Sequence, residues 1–437
     1  MFGTSGIRGR VGEDVTASLA LEVGRALGSE GYERVVVGRD SRESGSMLLD
    51  ALAAGLCECG SDVLEIEGEL AATPTIARAV DWADADAGVV VTASHNPPED
   101  NGIKLWTPSG KAFGPDRRAA IAERVESDAV DYADWDETGD RTTLSGATAA
   151  HASAIRSSVD LREPLSVIVD VGNGAGQITA TVLEQLGCTV RTLNAQPDGS
   201  FPGRPSEPTA ETLESLETLV GESDADLGVA HDGDADRMMA VDETGTFVPK
   251  DSLLALFARE EVGEGDRVAA PVDTSLAVED ALTDRGGSLV RTKVGDVYVA
   301  QRATDADVVF GGEPSGAWIW PDETLCPDGP LAACKLAELV AADGPLSSLE
   351  SEIDSYPIRR GAIESDDKSR QMERVERRVL ETYDDVDARD GVRVETDDGW
   401  FLIRASGTQP IVRVTAEARR TDRTADLFET ATQLVRE

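Results

Sequence analysis

The chain has 437 residues, enough for about three domains at roughly 150 residues each and too many for a small disulfide-stapled scaffold. Its 41 Lys and Arg against 83 Asp and Glu leave a formal net charge of −42, which disfavours nucleic acid and anionic membrane as partners. The acidity runs along the whole chain, and only six of the basic residues are lysine. Such a surface is expected of a protein adapted to high salt, where a Debye length of about 3 Å screens self-repulsion.

With 40% hydrophobic residues in strand-like and helix-like periods, the chain builds cores despite that charge. Met1 to Asp14 has no basic stretch followed by an apolar core, and no uninterrupted apolar run of about 18 residues occurs. A cytoplasmic protein is the expectation. Five scattered cysteines argue against a disulfide framework, and Cys57 and Cys59 lack the second pair or nearby His of a zinc site.

Three stretches share one order of elements. Val35-Val36-Val37 leads through Gly38 to Gly45 into a helix, and Cys59-Gly60 precedes a second strand, Val63 to Ile66. Val167-Ile168-Val169-Asp170 leads through Gly172 to Gly176 into a helix, with Gly187-Cys188 before Val190 to Leu193. Val268 to Val272 leads through Asp273-Thr274-Ser275 into a helix, with Gly286-Gly287 before Ser288-Leu289-Val290. Strand, helix and strand in alternation predict parallel βαβ units, so the chain holds three similar α/β domains. The tail differs: Trp400 to Arg404 and Ile411 to Ala416 are predicted strands around a tight turn. A helix with Leu427, Phe428, Ala431, Leu434 and Val435 on one face follows, making a smaller α+β domain. The polar stretch Glu126 to Ala147, the region near Thr246 and the stretch Asp343 to Tyr356 suggest domains over 1–147, 148–246, 247–350 and 351–437. Pro197 to Pro208 forms a long loop inside the second domain, a place where function often resides.

Four loops carry chemistry. Thr92-Ala93-Ser94-His95-Asn96-Pro97-Pro98 follows the apolar run Ala87 to Val91, which places polar side chains at the carboxyl edge of a parallel sheet. Ser94 is either a covalent carrier or a turn serine. A serine-hydrolase arrangement is not expected, because neighbours leaving a strand point to opposite sides and no G-x-S-x-G surrounds Ser94. Asp232-Gly233-Asp234-Ala235-Asp236-Arg237 follows Leu227 to Ala230 and offers carboxylates at alternate positions, suited to a hard cation such as Mg²⁺. An EF-hand would need Gly where Arg237 stands, while a solvated acidic turn is the simpler alternative. Gly311-Gly312-Glu313-Pro314-Ser315-Gly316 pairs a carboxylate with a hydroxyl that could grip sugar hydroxyls. Arg404-Ala405-Ser406-Gly407-Thr408-Gln409-Pro410, with Arg413 beyond it, is either a phosphate cradle or a plain turn. Gly172, Gly174 and Gly176 lack dinucleotide-loop spacing and are expected to ease a turn.

These motifs, in this order and from Thr4-Ser5-Gly6-Ile7-Arg8-Gly9 to Arg413, resemble the α-D-phosphohexomutase superfamily. The resemblance implies three related α/β domains and a fourth of another type around a central cleft. It implies catalytic roles for Ser94 as phosphoryl carrier, with His95, Lys104, Arg8 and Arg237 beside it, and Mg²⁺ held by Asp232, Asp234 and Asp236 together with Ser94. Glu313 and Ser315 match the sugar-recognition pair, and Arg404, Ser406, Gly407, Thr408 and Arg413 match the site of the phosphate that is not reacting. The implied reaction interconverts hexose 6-phosphate and hexose 1-phosphate through phosphoserine and a bisphosphate, which also activates dephosphorylated enzyme. Small sugar phosphates are then the partners, without nucleic acid or membrane; monomer and homodimer stay open. The opening motif, the Thr92 to Lys104 loop and Thr292-Lys293-Val294-Gly295-Asp296 are most similar to the phosphoglucosamine-mutase branch. The phosphoglucomutase/phosphomannomutase branch, the alternative, often has His where Asp296 stands, and many members have His where Ala317 stands.

Overall fold

Continuous runs of Val and Ile bounded by Gly and Asp make strands that are buried on both faces, so helices must cover both sides of the sheet they form. The computed structural model, which describes residues 2–3, 6–406 and 410–436, has this arrangement in each α/β part. The chain falls into two units, Met1–Lys250 with Ser315–Glu350 and Asp251–Pro314 with Ser351–Glu437.

The first part of the first unit runs β1 (Ile7–Arg10), α1 (Ala17–Ser29), β2 (Arg34–Arg39), α2 (Gly45–Glu58), β3 (Asp62–Leu70), α3 (Thr73–Trp82), β4 (Ala87–Val91), β5 (Asp100–Trp106), α4 (Pro115–Ser127) and β6 (Arg141–Leu144). The sheet order is β1-β5-β4-β2-β3-β6, parallel from β4 to β6 and antiparallel where β5 meets β4 and β1. Alternation along β2 sends Val35 and Val37 into the core beneath α1 and α2, and Val36 into the core beneath α3. Helices α1 and α2 touch backbone to backbone: a Cβ on Gly24 would lie 2.2 Å from Leu52 O, and one on Gly55 would lie 2.2 Å from Leu21 O. The polar stretch after α4 contains β6, an edge strand whose partners are backbone groups of β3. Arg-Thr-Thr-Leu has no buried alternation to announce it.

Then come α5 (Ala147–Ser157), β7 (Ser166–Asp170), α6 (Gln177–Gln185), β8 (Thr189–Leu193), α7 (Glu214–Gly221), β9 (Leu227–His231) and β10 (Met238–Asp242), with sheet order β10-β9-β7-β8. The second unit opens with α8 (Lys250–Glu261), β11 (Arg267–Pro271), α9 (Leu276–Thr283), β12 (Ser288–Thr292), α10 (Asp296–Arg302) and β13 (Val308–Glu313), where β11 runs parallel to both β12 and β13. The chain then returns to the first unit with β14 (Ala317–Ile319), α11 (Gly329–Asp343) and α12 (Leu346–Ser351). Strands β4, β9 and β13 hold the same place, each parallel to the first strand of its βαβ unit, β2, β7 or β11. The serine and triple-aspartate motifs begin in the loops after β4 and β9, and the Glu313 motif starts within β13 and runs into the loop after it.

The tail comprises β15 (Ile358–Glu364), α13 (Lys368–Thr382), β16 (Val386–Asp387), β17 (Val392–Thr396), β18 (Gly399–Ala405), β19 (Ile411–Ala418) and α14 (Thr421–Arg436). Its antiparallel sheet, ordered β15-β19-β18-β17-β16, packs Phe401, Ile403, Val412 and Val414 against Leu427, Ala431 and Val435 of α14. The opposite face meets the preceding α/β part through Trp400 and Leu402 against Val272. Buried Glu417 accepts from Ser275 Oγ (2.6 Å), Leu276 N (2.8 Å) and Trp400 Nε1 (2.8 Å), capping α9. Among the described residues, no helix is long and apolar enough to cross a membrane.

Asp251 sits in this joint and accepts from Ser275 N. Burial, reinforced by the nearby Glu417 charge, pushes its carboxyl up from 3.8 to about 6. The folded form therefore binds this proton more tightly than the unfolded chain, and the associated stability is lost as pH rises through about 6. Asp251→Asn should raise the melting temperature at about pH 7.5 and give little or no gain at about pH 4. Thermal melts at the two values check this, and equal shifts at both would contradict the burial argument.

Candidate active site

The serine loop leaves β4 at Val91, and its backbone departs at once from strand geometry. Ser94 is fully buried with φ +55°, a left-handed conformation uncommon for a residue with a side chain. This turn points Ser94 Oγ at Asp232, to whose Oδ2 it donates at 2.6 Å. It also brings Ser94 Oγ within 3.4 Å of His95 Nδ1. The expectation that strand alternation separates these two side chains fails here, because the left-handed residue breaks the alternation.

The second loop curls so that one oxygen from each of Asp232, Asp234 and Asp236 lies within 4.8 Å of the others, with all three residues buried. Ala235, at φ +55°, makes the turn. Room comes from the glycine loop after β7: a Cβ on Gly174 would lie 2.5 Å from Gly233 O, and Ala175 N donates to that oxygen at 3.0 Å. These glycines do more than ease a turn; they let the acidic loop approach. Thr73, at the start of α3, donates its hydroxyl to Asp234 Oδ2 (2.5 Å) and its N–H to Asp234 O (2.8 Å).

Cations balance the acids. Lys104, reaching in from β5, is buried and donates to Asp234 Oδ2 at 2.7 Å and Asp236 Oδ2 at 2.5 Å. Burial alone would lower its pKa, but the two carboxylates outweigh burial and hold the ammonium above the usual lysine range. Burial likewise pushes Asp234 up, and Lys104 outweighs it and holds the carboxyl well below its usual range. Asp232 is raised by burial and then by its two acidic neighbours. Arg237, burial, Arg8 and Lys104 in turn depress His95 and keep its ring neutral. Arg8 and Arg237 thus belong to the same electrostatic cluster, and Arg237 N donates to Asp232 Oδ1 at 3.2 Å.

The donor set suits a hard divalent cation: all oxygen, three carboxylates, and a buried Asp234 Oδ1 that has no hydrogen-bond partner. Among the described residues no other group of acidic, His or Cys side chains comes together in this way. Beside the loop, Ala317 bridges to Arg237 and Met238 N donates to Gly316 O at 3.0 Å, which brings the Ser315 segment alongside. Ser315 Oγ is buried and has no hydrogen-bond partner.

Within the second unit, Arg404 and Arg413 line a cavity of about 390 Å³ with Asp273 and Arg360. Ser406 is buried and its carbonyl accepts from Lys368 Nζ at 2.6 Å. Glu313 ends β13 in this unit. Gly407 and Thr408, like Thr4 and Ser5 of the opening motif, lie outside the described residues. Sequence reasoning missed Thr73, Arg360 and Lys368, which carry no local motif. Asp273 lies in the loop between β11 and α9, at a strand end where reactive groups of α/β sheets usually sit, a signal visible in the sequence.

The chain matches four family models in order: domain I of phosphoglucomutase/phosphomannomutase over residues 1–131, domain II over 148–245, domain III over 249–356 and the C-terminal domain over 362–433. It is 47% identical to a protein of Methanopyrus kandleri named "Probable phosphoglucosamine mutase", covering 100% of this chain and 97% of that one. A protein of the same name from Methanococcoides burtonii is 46% identical over 100% of this chain and 99% of its own. A solved phosphoglucomutase/phosphomannomutase family protein from Burkholderia thailandensis superposes with a TM-score of 0.88 at 28% identity, covering 100% of this chain and 98% of that one. With all four domains matched and relatives similar from end to end, the chain belongs to the phosphoglucomutase/phosphomannomutase family.

Proposed function

We propose that this protein is a phosphohexomutase that interconverts hexose 6-phosphate and hexose 1-phosphate, with glucosamine phosphate as its substrate. The observation that carries the reading is the 2.6 Å hydrogen bond from buried Ser94 Oγ into the triple-aspartate loop, which joins a hydroxyl suited to carry a phosphoryl group to a cluster of acids and cations suited to stabilise its charge. The end-to-end similarity to proteins named phosphoglucosamine mutase supports the choice of sugar. Asp296, at the start of α10, would suit a substrate ammonium, since opposite charges nearby attract.

In the forward step the P–O bond to Ser94 breaks as a bond forms from phosphorus to a free hydroxyl oxygen of the sugar monophosphate, which loses its proton while Ser94 Oγ gains one, so the protons balance. The resulting bisphosphate turns over in the site, and its other phosphoryl group returns to Ser94. For that return Ser94 releases its hydroxyl proton along the bond to Asp232 Oδ2, and the departing sugar oxygen takes up a proton in exchange. Lys104, kept protonated by Asp234 and Asp236, serves as a fixed cation for the transferring group. His95, kept neutral by the surrounding cations, stands with Nδ1 3.4 Å from Ser94 Oγ. Asp232, Asp234, Asp236 and Ser94 would hold Mg²⁺, which supplies charge stabilisation at the transferring phosphoryl group. Glu313 and Ser315 would hold the sugar, while Arg404, Ser406, Gly407, Thr408 and Arg413, joined by Arg360, would hold the phosphate at rest. We also assign the uniform acidity to adaptation to high salt.

Four measurements test the reading. Intact mass should show one phosphoryl group on the protein, lost in Ser94→Ala together with at least about a thousandfold of mutase activity, as expected when a covalent carrier is removed. Sugar bisphosphate should restore activity to dephosphorylated wild type and not to the variant. Free phosphate released without isomer exchange would instead indicate a hydrolase. Side-by-side turnover of the 6-phosphates of glucosamine, glucose and mannose should favour glucosamine by more than tenfold, about 1.4 kcal/mol in transition-state stabilisation. Finally, urea unfolding midpoints should rise between dilute and molar KCl; a flat series would remove the salt-adaptation argument.

A further inference from the structure

Arg42 is completely buried, and all five donors of its guanidinium are used. Nε donates to Asp40 Oδ2 at 3.0 Å; Nη1 donates to the carbonyls of Pro97 (2.6 Å) and Asp100 (2.9 Å); Nη2 donates to those of Ser94 (2.9 Å) and Asn96 (2.6 Å). One side chain thus gathers four carbonyls of the serine loop, and none of these bonds belongs to a helix or sheet ladder. The face of Phe201, in the long loop of the second α/β part, closes over the guanidinium at 5.0 Å. The other side of the Ser94 peptide is fixed by the same anchor. Asp40 Oδ2 accepts from Thr92 Oγ1 at 2.6 Å, and Thr92 Oγ1 accepts from Ser94 N at 2.8 Å.

From this we infer that Arg42, oriented by Asp40 and backed by Thr92, is a positioning residue for phosphoryl transfer: it holds the left-handed Ser94 backbone that aims Oγ at Asp232. The inference rests on the reading of Ser94 as the phosphoryl carrier. A buried ion pair is a poor device for stability alone, because desolvation offsets much of its attraction. Here the cation faces a single carboxylate and spends its other four donors on loop carbonyls. Lysine has the charge but lacks the planar fork, so it cannot hold four carbonyls at once. The acidic loop has a related brace: Arg204, from the long loop, pairs with Asp170 at 2.7 Å and donates to His231 O at 2.6 Å, one residue before Asp232.

The test compares Arg42→Lys with Arg78→Lys, another buried arginine with one carboxylate partner, which donates to Asp328 Oδ2 at 2.9 Å and to Glu323 O at 3.3 Å, away from the serine loop. At temperatures where both variants are folded by circular dichroism, Arg42→Lys should lower kcat by about a hundredfold with KM within twofold of wild type, the penalty of roughly 1 Å of misplacement. Its phosphoserine should also leak to water, raising phosphate release per isomerisation. Arg78→Lys should keep both kcat and that ratio near wild type. Should Arg42→Lys fail to fold, Thr92→Val removes the support on the Ser94 N–H side and should shift kcat and leakage in the same directions. A folded Arg42→Lys or Thr92→Val whose kcat and leakage match Arg78→Lys overturns the inference. If wild type itself carries no phosphoryl group on Ser94, the carrier reading has failed instead, and the intact mass of wild type separates the two cases.

Discussion

Three buried carboxylates with an oxygen of each within 4.8 Å of the others cannot stay ionised without opposite charge, and the arrangement of the first unit follows from meeting that need. Lys104 answers it for Asp234 and Asp236, while Arg8 and Arg237 add positive potential around the loop. The matching is incomplete, because Asp234 Oδ1 is buried without a partner and Asp232 remains raised among its neighbours. A cluster kept for stability alone would be better replaced by apolar side chains. The residual demand for positive charge suits the loop to hold a cation, and the hydroxyl of Ser94 points at it.

The placement of the chemistry follows from topology repeated three times. Each α/β part offers a loop after the strand that runs parallel to the first strand of its βαβ unit, and each loop received a different set of side chains. The first carries the hydroxyl, the second the acids, and the third follows a carboxylate that ends its strand. A sheet edge of this kind presents backbone groups and side chains outward without disturbing the core beneath, so the chemistry could diverge while the packing stayed alike. The cost is that loop conformations are no longer set by the ladder, and braces such as Arg42 and Arg204 supply what the ladder does not.

The parts of this design that were legible in the sequence are those written in consecutive residues. Val35-Val36-Val37 and Val167-Ile168-Val169 announce buried strands, and Asp232-Gly233-Asp234-Ala235-Asp236 announces a cation site, because composition and spacing alone carry the physics. What stayed hidden depends on contacts between distant positions. Thr73 meets Asp234 across 161 residues, Ser206 donates to Ser94 O across 112, and Arg42 spans 52 to 58 residues to reach its carbonyls. The approach of His95 to Ser94 was hidden for another reason: one left-handed dihedral reverses an alternation rule that holds only for extended backbone. Strand β6 escaped notice because an exposed edge strand needs no apolar pattern.

The distribution of positive charge ties these features to the acidic surface. Arg42, Arg78, Lys104, Arg204 and Arg393 are all buried, each beside a carboxylate, and further arginines line the cavity at Arg404 and Arg413. In a chain with twice as many acids as bases, these cations are concentrated where they orient backbone or meet anions, while the exterior is left strongly negative. Long-range repulsion between that exterior and an anionic sugar phosphate fades within a Debye length, about 3 Å in molar salt, whereas a partly desolvated arginine or lysine in contact with phosphate is screened far less. High salt would therefore silence the global charge and leave the local charge working, which is the condition under which an acidic surface and an anion-binding site are compatible in one molecule.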